Sequence, residues 1–550
     1  MPGPFHHVRL RVAGLAATVL LAAGAFGAGA LPDADPATPS VRPAEPLADS
    51  WVYWLGLLAS LAGLVVLAVA WWRLGRAIRH DPGRISLRWL LVTGAVWAAP
   101  LLLAPPLASR DVYAYACQGA VWLDGFDPYR VGVAVGGCPW VETVPPLWRD
   151  TTTPYGPLAV ALAGAVVAVA RAVTDSGDGQ LLVSISLFRV IALVGGLLIA
   201  AYAPRLARAC GVDPVAALCL GLVSPLVAVH AVSGAHNDAL MVGLVLAALA
   251  LAMRSRTGLS NAMSGPVGLM SGPVEPISGP VGLMSGPVGL MAAGAALGLA
   301  TAIKVTALVA APFVVLLAVV RIPVVREQSS RHADNSPDVL PDHRDLGRVV
   351  AGGVLAFGGL SVAFGGLSLV TGLDLGWIRA LRDTGNLVQW TSVPSGVGMA
   401  VGYLLRLAGW PETFDTAVTA ARALGFGTLV ATMAVLVVRA WRSTGDPPTL
   451  ARRRVLAACG AAFVALALLS PVFYPWYGLT ALAVLAVAVA DVRWQRRLAG
   501  AVLVLSFLVL PNGLGLATLT KVPGALLDVV LVVAVVVLLV RRARRRPTGT

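Results

Sequence analysis

A polar cassette, Ser109-Arg110-Asp111-Val112-Tyr113-Ala114-Tyr115, follows an apolar run that ends near Leu107. An Arg-Asp pair at a membrane boundary is costly to place, which makes it a candidate functional site. A carboxylate there, Asp111, can act as a general base, taking a proton from a hydroxyl held within hydrogen-bonding reach. The competing structural reading is a snorkelling pair that anchors a helix end. Arg110, Tyr113, Tyr115 and Gln118 stand beside Asp111 as candidate substrate ligands. Farther on, Asp124-Gly125-Phe126-Asp127-Pro128-Tyr129 and Thr153-Pro154-Tyr155-Gly156-Pro157 bracket Trp140 and Trp148. Such rings can stack on a sugar. Asp-Pro and Tyr-Gly-Pro are equally turn chemistry, and tryptophans equally an interfacial belt, so Tyr129 and Tyr155 carry both readings.

Two further clusters could share that chemistry. His236-Asn237-Asp238 can hydrogen-bond a sugar or phosphate, or can simply cap the helix that follows. Lys304 is one of only two lysines, the other being Lys521. It can bind a phosphate or snorkel to the interface, and Arg379, Arg382 and Phe473-Tyr474-Pro475-Trp476-Tyr477 could join it. No CxxC or His/Cys cluster suggests zinc or a redox centre. A divalent cation stays open, with Asp111 able to supply one ligand, and no nucleotide or organic cofactor is expected. Cys117 and Cys138 share one polar loop; if that loop is external, a disulfide could form there.

These residues must be held by apolar helices. The chain is 57% hydrophobic and 12% charged, with mean hydropathy +0.81, far from the roughly 25% charged residues of a soluble domain. Apolar runs of roughly 15 to 22 residues recur without alternation, so they read as membrane helices rather than barrel strands. The net charge of +14 is nearly all arginine flanking those runs, which reads as positive-inside anchoring and not as a nucleic-acid partner.

Run 11–30, open between an anchor and a cleaved signal, leaves through an acidic segment. Span 51–72 returns to a cytoplasmic loop bearing Arg73, Arg76, Arg79, Arg84 and Arg88, and run 89–107 delivers the cassette outside. If 157–173 spans, Arg205, Arg208, Arg254 and Arg256 fall outside. If it lies on the outer surface, all four fall inside. The second choice makes 108–184 one external loop with surface helices, followed by spans near 185–203, 214–232 and 239–253. Residues 264–291 are SGPVGLM, SGPVEPI, SGPVGLM and SGPVGLM. Gly-Pro in every unit excludes a regular helix, so 254–291 reads as a cytoplasmic insertion, disordered over the repeats at 264–291.

Short runs at 288–303 and 305–322 meet at Lys304 on the outer side. Residues 323–348 form a polar cytoplasmic loop, 349–371 a span, and 372–417 a second external loop with a surface helix near 396–408. Spans near 418–440, 455–470, 479–490, 498–515 and 523–540 precede a basic tail at 541–550. The expectation is an all-α polytopic plasma-membrane protein, one domain over 1–540, with about fourteen spans. Both termini are cytoplasmic and the site is external.

An early external aspartate, a surface-helix loop and a second acidic loop two spans later resemble the GT-C glycosyltransferase architecture. Three stretches look like the actinobacterial polyprenol-phosphomannose-dependent α-1,6-mannosyltransferases: SRDVYAYACQGAVWLDGFDPY (109–129), TPYGPL (153–158) and SGAHNDALMVGL (233–244). The likeness extends less specifically through TAIKVTALVAAP (301–312) and SPVFYPWYGL (470–479). It implies a polyprenyl-phosphate mannose donor, a lipid-anchored mannan acceptor as in lipomannan and lipoarabinomannan assembly, and Asp111 as the base. A transporter or lipid-sugar flippase is the alternative from another class; it predicts charges along a path and inverted halves, whereas the polar clusters here gather at one face. A GT-C transferase of another sugar is the third reading.

Overall fold

The computed structural model describes residues 6–32, 51–255, 286–320, 343–384 and 387–544. The described residues are helical throughout, apart from loops and one isolated bridge, Val509 to Gly515. Helix α1 (His6–Ala28) lies along α2 (Trp51–His80). Their backbones touch at Gly27 and Gly56, where a Cβ on Gly56 would sit 2.8 Å from the Gly27 Cα, the close approach that small residues permit between apolar helices. Helix α3 (Leu87–Leu102) starts at Ser86, whose hydroxyl accepts the Trp89 amide.

The external loop of the sequence reading holds α4 (Asp111–Leu123) and α5 (Pro157–Val173). Pro157 at the first helical position suits its fixed φ and missing donor. The two helices cross at Gly119, where a Cβ would meet the Ala163 carbonyl carbon and oxygen at 2.4 Å. A small core of Val112, Tyr113, Val121, Trp140 and Val167 seals this subdomain. Cys117 and Cys138 are joined in a disulfide, with Cα atoms 5.2 Å apart, tying α4 to the loop beyond it.

The main core surrounds α6 (Gly177–Ala209), α7 (Pro214–Gly221), α8 (Asp238–Arg254), α9 (Pro287–Thr301) and α10 (Ala311–Val319). A π-helical turn at Val227–Ser233 precedes α8 and bends 106° from it. The C-terminal half adds α11 (His343–Thr371), α12 (Trp377–Thr384), α13 (Val393–Leu407), α14 (Phe414–Arg442), α15 (Pro448–Leu469), α16 (Gly478–Ala488), α17 (Val492–Phe507) and α18 (Lys521–Arg544). Helix α13, expected as a surface helix, packs on α14 and α18 through Met399, Ala400, Val418 and Ala525.

Among the described residues, six helices have the length and apolarity to cross a membrane, or seven if the bent pair counts as one. The larger count expected from the sequence would need the shorter apolar helices to cross as well. Runs 214–232 and 305–322 are each broken into two short pieces. The Gly-Pro heptapeptides lie outside the described residues up to position 285, and with them most of the disorder expected there; the last unit corrects that expectation, because its residues 287–291 are helical, proline being tolerated at a first helical position. Gly286, at φ +75°, and Pro287 then open α9. Residues 323–342 and 545–550 are also outside, while 343–348 form the first turns of α11.

Candidate active site

The cassette enters the site in a loop after α3. The Leu107 amide donates to the Ser233 hydroxyl at 3.0 Å, and the Ser109 hydroxyl accepts the Asp111 amide at 3.1 Å. That second bond satisfies a donor at the start of α4. Asp111 is thereby the first residue of α4, at the helix end where negative charge is favoured. Its side chain is 20% exposed, opening into a cavity of about 440 Å³. Burial pushes its carboxyl up to about 6; the Ser109 hydrogen bond and the Lys304 charge pull it down, and the Asp238 charge adds to the rise. A base with a pKa near the working pH is well matched to proton abstraction.

Across the cavity, the 106° bend places Asp238 at the first turn of α8, and Lys304 follows the end of α9 in extended backbone. Lys304 Nζ donates to both Asp238 carboxylate oxygens, at 3.0 and 3.1 Å, and sits 4.3 Å from the Tyr477 ring centroid. The two acids therefore differ: Asp238 has both oxygens engaged by an ammonium, whereas Asp111 does not.

Aromatic rings line the rest. Tyr115 and Tyr155 meet edge to face at 5.3 Å. Tyr474, Trp476 and His236 stack in series, with centroids 4.6 and 4.3 Å apart. The His236 ring is fully buried behind the cavity wall, with Nδ1 3.5 Å from Asp111 Oδ2 and 3.5 Å from the Tyr115 hydroxyl.

Of the residues singled out from the sequence, Arg110, Asp111, Tyr115, Gln118, Tyr155, Asp238, Lys304 and Trp476 line this one cavity. Arg110 does so with its guanidinium already spent on protein partners: Asn512 Oδ1 at 2.8 Å, the Thr143 carbonyl at 3.0 Å and the Leu31 carbonyl at 2.9 Å. Asn237 instead lines a small adjoining pocket with Tyr115, Gln118 and Tyr155. Two tyrosines are not brought to the cavity. Tyr113 projects from another face of α4 and donates its hydroxyl to the Ala30 carbonyl; Tyr129 packs with Leu373 and Trp377. The Arg382 side chain lies outside the described residues.

Gln389, Thr391 and Asn512 also line the cavity and do not stand out in the sequence; a Pro-Asn-Gly turn at 511–513 is the available signal for Asn512. Among the described residues no three His, Cys, Asp or Glu side chains gather as a metal-binding group.

Comparison with known proteins agrees over most of the chain. Residues 11–320 match the family model described as the alpha-(1->6)-mannopyranosyltransferase N-terminal domain, and residues 394–540 match the MptB C-terminal domain. An alpha-(1->6)-mannopyranosyltransferase of Mycobacterium tuberculosis is 30% identical, over 87% of this chain and 78% of its own length. Alpha-(1->6)-mannopyranosyltransferase B of Corynebacterium glutamicum is 26% identical, over 92% of this chain and 77% of its own. No solved structure matches. With the N-terminal model alone covering more than half of its residues, the chain belongs to the alpha-(1->6)-mannopyranosyltransferase family and is a glycosyltransferase.

Proposed function

We propose that this protein moves mannose from polyprenyl-phosphate mannose onto an α-1,6-mannan acceptor, the lipid-anchored backbone of lipomannan or lipoarabinomannan, at the outer face of the plasma membrane. In this reading the chain is multi-pass with a GT-C architecture, about fourteen crossings, and cytoplasmic termini. The observation that carries it is one cavity holding a single carboxylate free to take a proton, Asp111, opposite a lysine able to face a phosphate.

The acceptor hydroxyl gives its proton to the Asp111 carboxylate as its oxygen attacks the anomeric carbon. The bond from that carbon to the phosphate oxygen breaks, and polyprenyl phosphate leaves with the electron pair. Lys304 has three N–H donors, and a phosphate can share the ammonium with Asp238. A single displacement needs one base and inverts the anomeric centre, while a two-step route needs a second carboxylate as nucleophile. The bidentate contact of Asp238 with Lys304 argues against that second role. Among the described residues His236 Nε2 has no hydrogen-bond partner, whereas Nδ1 faces Asp111, so the tautomer with its proton on Nδ1 is the one that donates to the acid. There it steadies the carboxylate. Tyr115, Tyr155 and Trp476 supply ring faces and edges for sugars.

The test is reconstitution of the protein in vesicles with radiolabelled polyprenyl-phosphate mannose and a short α-1,6-mannoside. The reading requires a new alkali-stable glycosidic product from the lipid donor, with none from a nucleotide sugar. Lipid-sugar crossing the bilayer without glycosidic product would overturn it in favour of a transporter.

A further inference from the structure

Asn512 belongs to a tight loop after α17. Leu510 and Leu516 donate their amides to Leu514 and Leu508, both at 2.9 Å, closing the loop on itself. Its backbone sits at φ +57°, ψ +25°, the left-handed region that asparagine tolerates better than most side chains. Such a conformation persists only where the surroundings hold it, and Asn512 is 7% exposed.

What holds it is the cassette. The Asn512 amide donates to the Leu107 carbonyl at 2.8 Å, and its side-chain Oδ1 accepts the Arg110 Nε–H at 2.8 Å. These two bonds fall on either side of Ala108 and Ser109, the residues that lead into Asp111, and Ser109 in turn caps the Asp111 amide. Arg110 is 3% exposed and also fastened to the Thr143 and Leu31 carbonyls. Its guanidinium therefore joins three distant segments immediately before the acid.

We infer that Asn512 is a positioning residue for Asp111: by pinning Leu107 and Arg110 it sets the direction in which the carboxylate enters the cavity. The residue lies 402 positions beyond Arg110, in the part of the chain matched by the C-terminal family model, whereas Asp111 lies in the N-terminal match. The site is thus composite: besides the rings it lends to the cavity, such as Trp476, the C-terminal half acts on the base through a backbone turn. This rests on Asp111 being the base.

The test compares kcat and KM for donor lipid and acceptor in full-length Asn512→Gly, Asn512→Asp and Arg110→Lys, and in the Asn512→Gly/Arg110→Lys double variant. Glycine accepts the left-handed backbone without strain, so Asn512→Gly keeps the turn and removes the side chain that accepts from Arg110. It is expected to lower kcat about tenfold or more with both KM values within about twofold, since small misplacements of a reacting group cost rate steeply. Asn512→Asp keeps an acceptor for Arg110 and is expected to restore kcat to within about threefold. The double variant is expected to be no slower than the slower single one, because Arg110→Lys already removes the Nε–H bond to Asn512 along with its other guanidinium contacts. If Asn512→Gly does not fold, the kcat-against-KM split in Arg110→Lys, together with that in Asn512→Asp, decides the question in its place. Wild-type kcat in Asn512→Gly, additive losses, or a rise in KM alone would overturn the inference. An active Asp111→Asn enzyme would instead remove the base reading, whatever Asn512 does.

Discussion

The raised carboxyl of Asp111 makes a quantitative claim about pH. A base is active only when ionised, so kcat/KM follows the ionised fraction of Asp111 in the free enzyme. With its pKa at about 6, that fraction is about 9% at pH 5 and about 91% at pH 7, a rise of roughly tenfold. A carboxylate at its ordinary value of 3.8 would be over about 90% ionised at both, so kcat/KM would be nearly flat. The sign follows from the cause: burial disfavours the charged form, so the proton leaves at higher pH than from a free aspartate. The neighbouring charges must then move the acid limb in opposite directions. Removing the positive charge with Lys304→Met shifts it to higher pH, and removing the negative charge with Asp238→Asn shifts it lower. The assay is initial-rate transfer at donor and acceptor well below their KM values, which reads kcat/KM, in buffers of constant ionic strength. A sample held at pH 5 and returned to pH 7 checks that activity recovers. A flat profile between pH 5 and 7, or a limb unmoved by both substitutions, would refute the reasoning.

Three other outcomes follow from the same geometry. Lys304→Met leaves Asp238 buried without its partner, a loss of about 3–5 kcal/mol where such pairs are broken; it should lower the thermal midpoint in detergent and raise the donor KM. Replacing His236 with Phe keeps a ring on Trp476 but removes Nδ1 from Asp111, so kcat should fall with little change in KM, read from steady-state kinetics. Changing Cys117 and Cys138 together to Ser releases a link across 21 residues, and should cost about 2–4 kcal/mol, measured as a lower thermal midpoint that reductant no longer shifts.

Much of the fold and site is legible in the residues, and the rest fails for identifiable reasons. Helix 157–173 is legible to the residue, because Gly-Pro opens it and an apolar run of helical length follows. The cassette is legible as the entrance to the site. Which of its tyrosines faces the cavity is written in the helical period: Asp111, Ala114, Tyr115 and Gln118 stand at i, i+3, i+4 and i+7, one stripe of α4. Tyr113 falls off that stripe and turns to Ala30. Asn512 is hidden inside 498–515, which reads as one span because its average hydropathy is high, although Pro-Asn-Gly breaks it. Arg110 reads as a candidate substrate ligand because an Arg-Asp pair at a membrane boundary is costly to place. Its true partners are carbonyls and an amide from segments far away in sequence, which no local pattern can reveal.

The central claim is that Asp111 takes the acceptor proton in mannosyl transfer, and Asp111→Asn tests it most directly. The variant keeps the side-chain shape at the head of α4 and removes the carboxylate's charge and with it the ability to accept that proton. Radiolabelled polyprenyl-phosphate mannose should still bind it, while transfer to an α-1,6-mannoside falls by about 10² to 10⁴, the usual contribution of a general base. Transfer at near wild-type rate by Asp111→Asn would contradict the account.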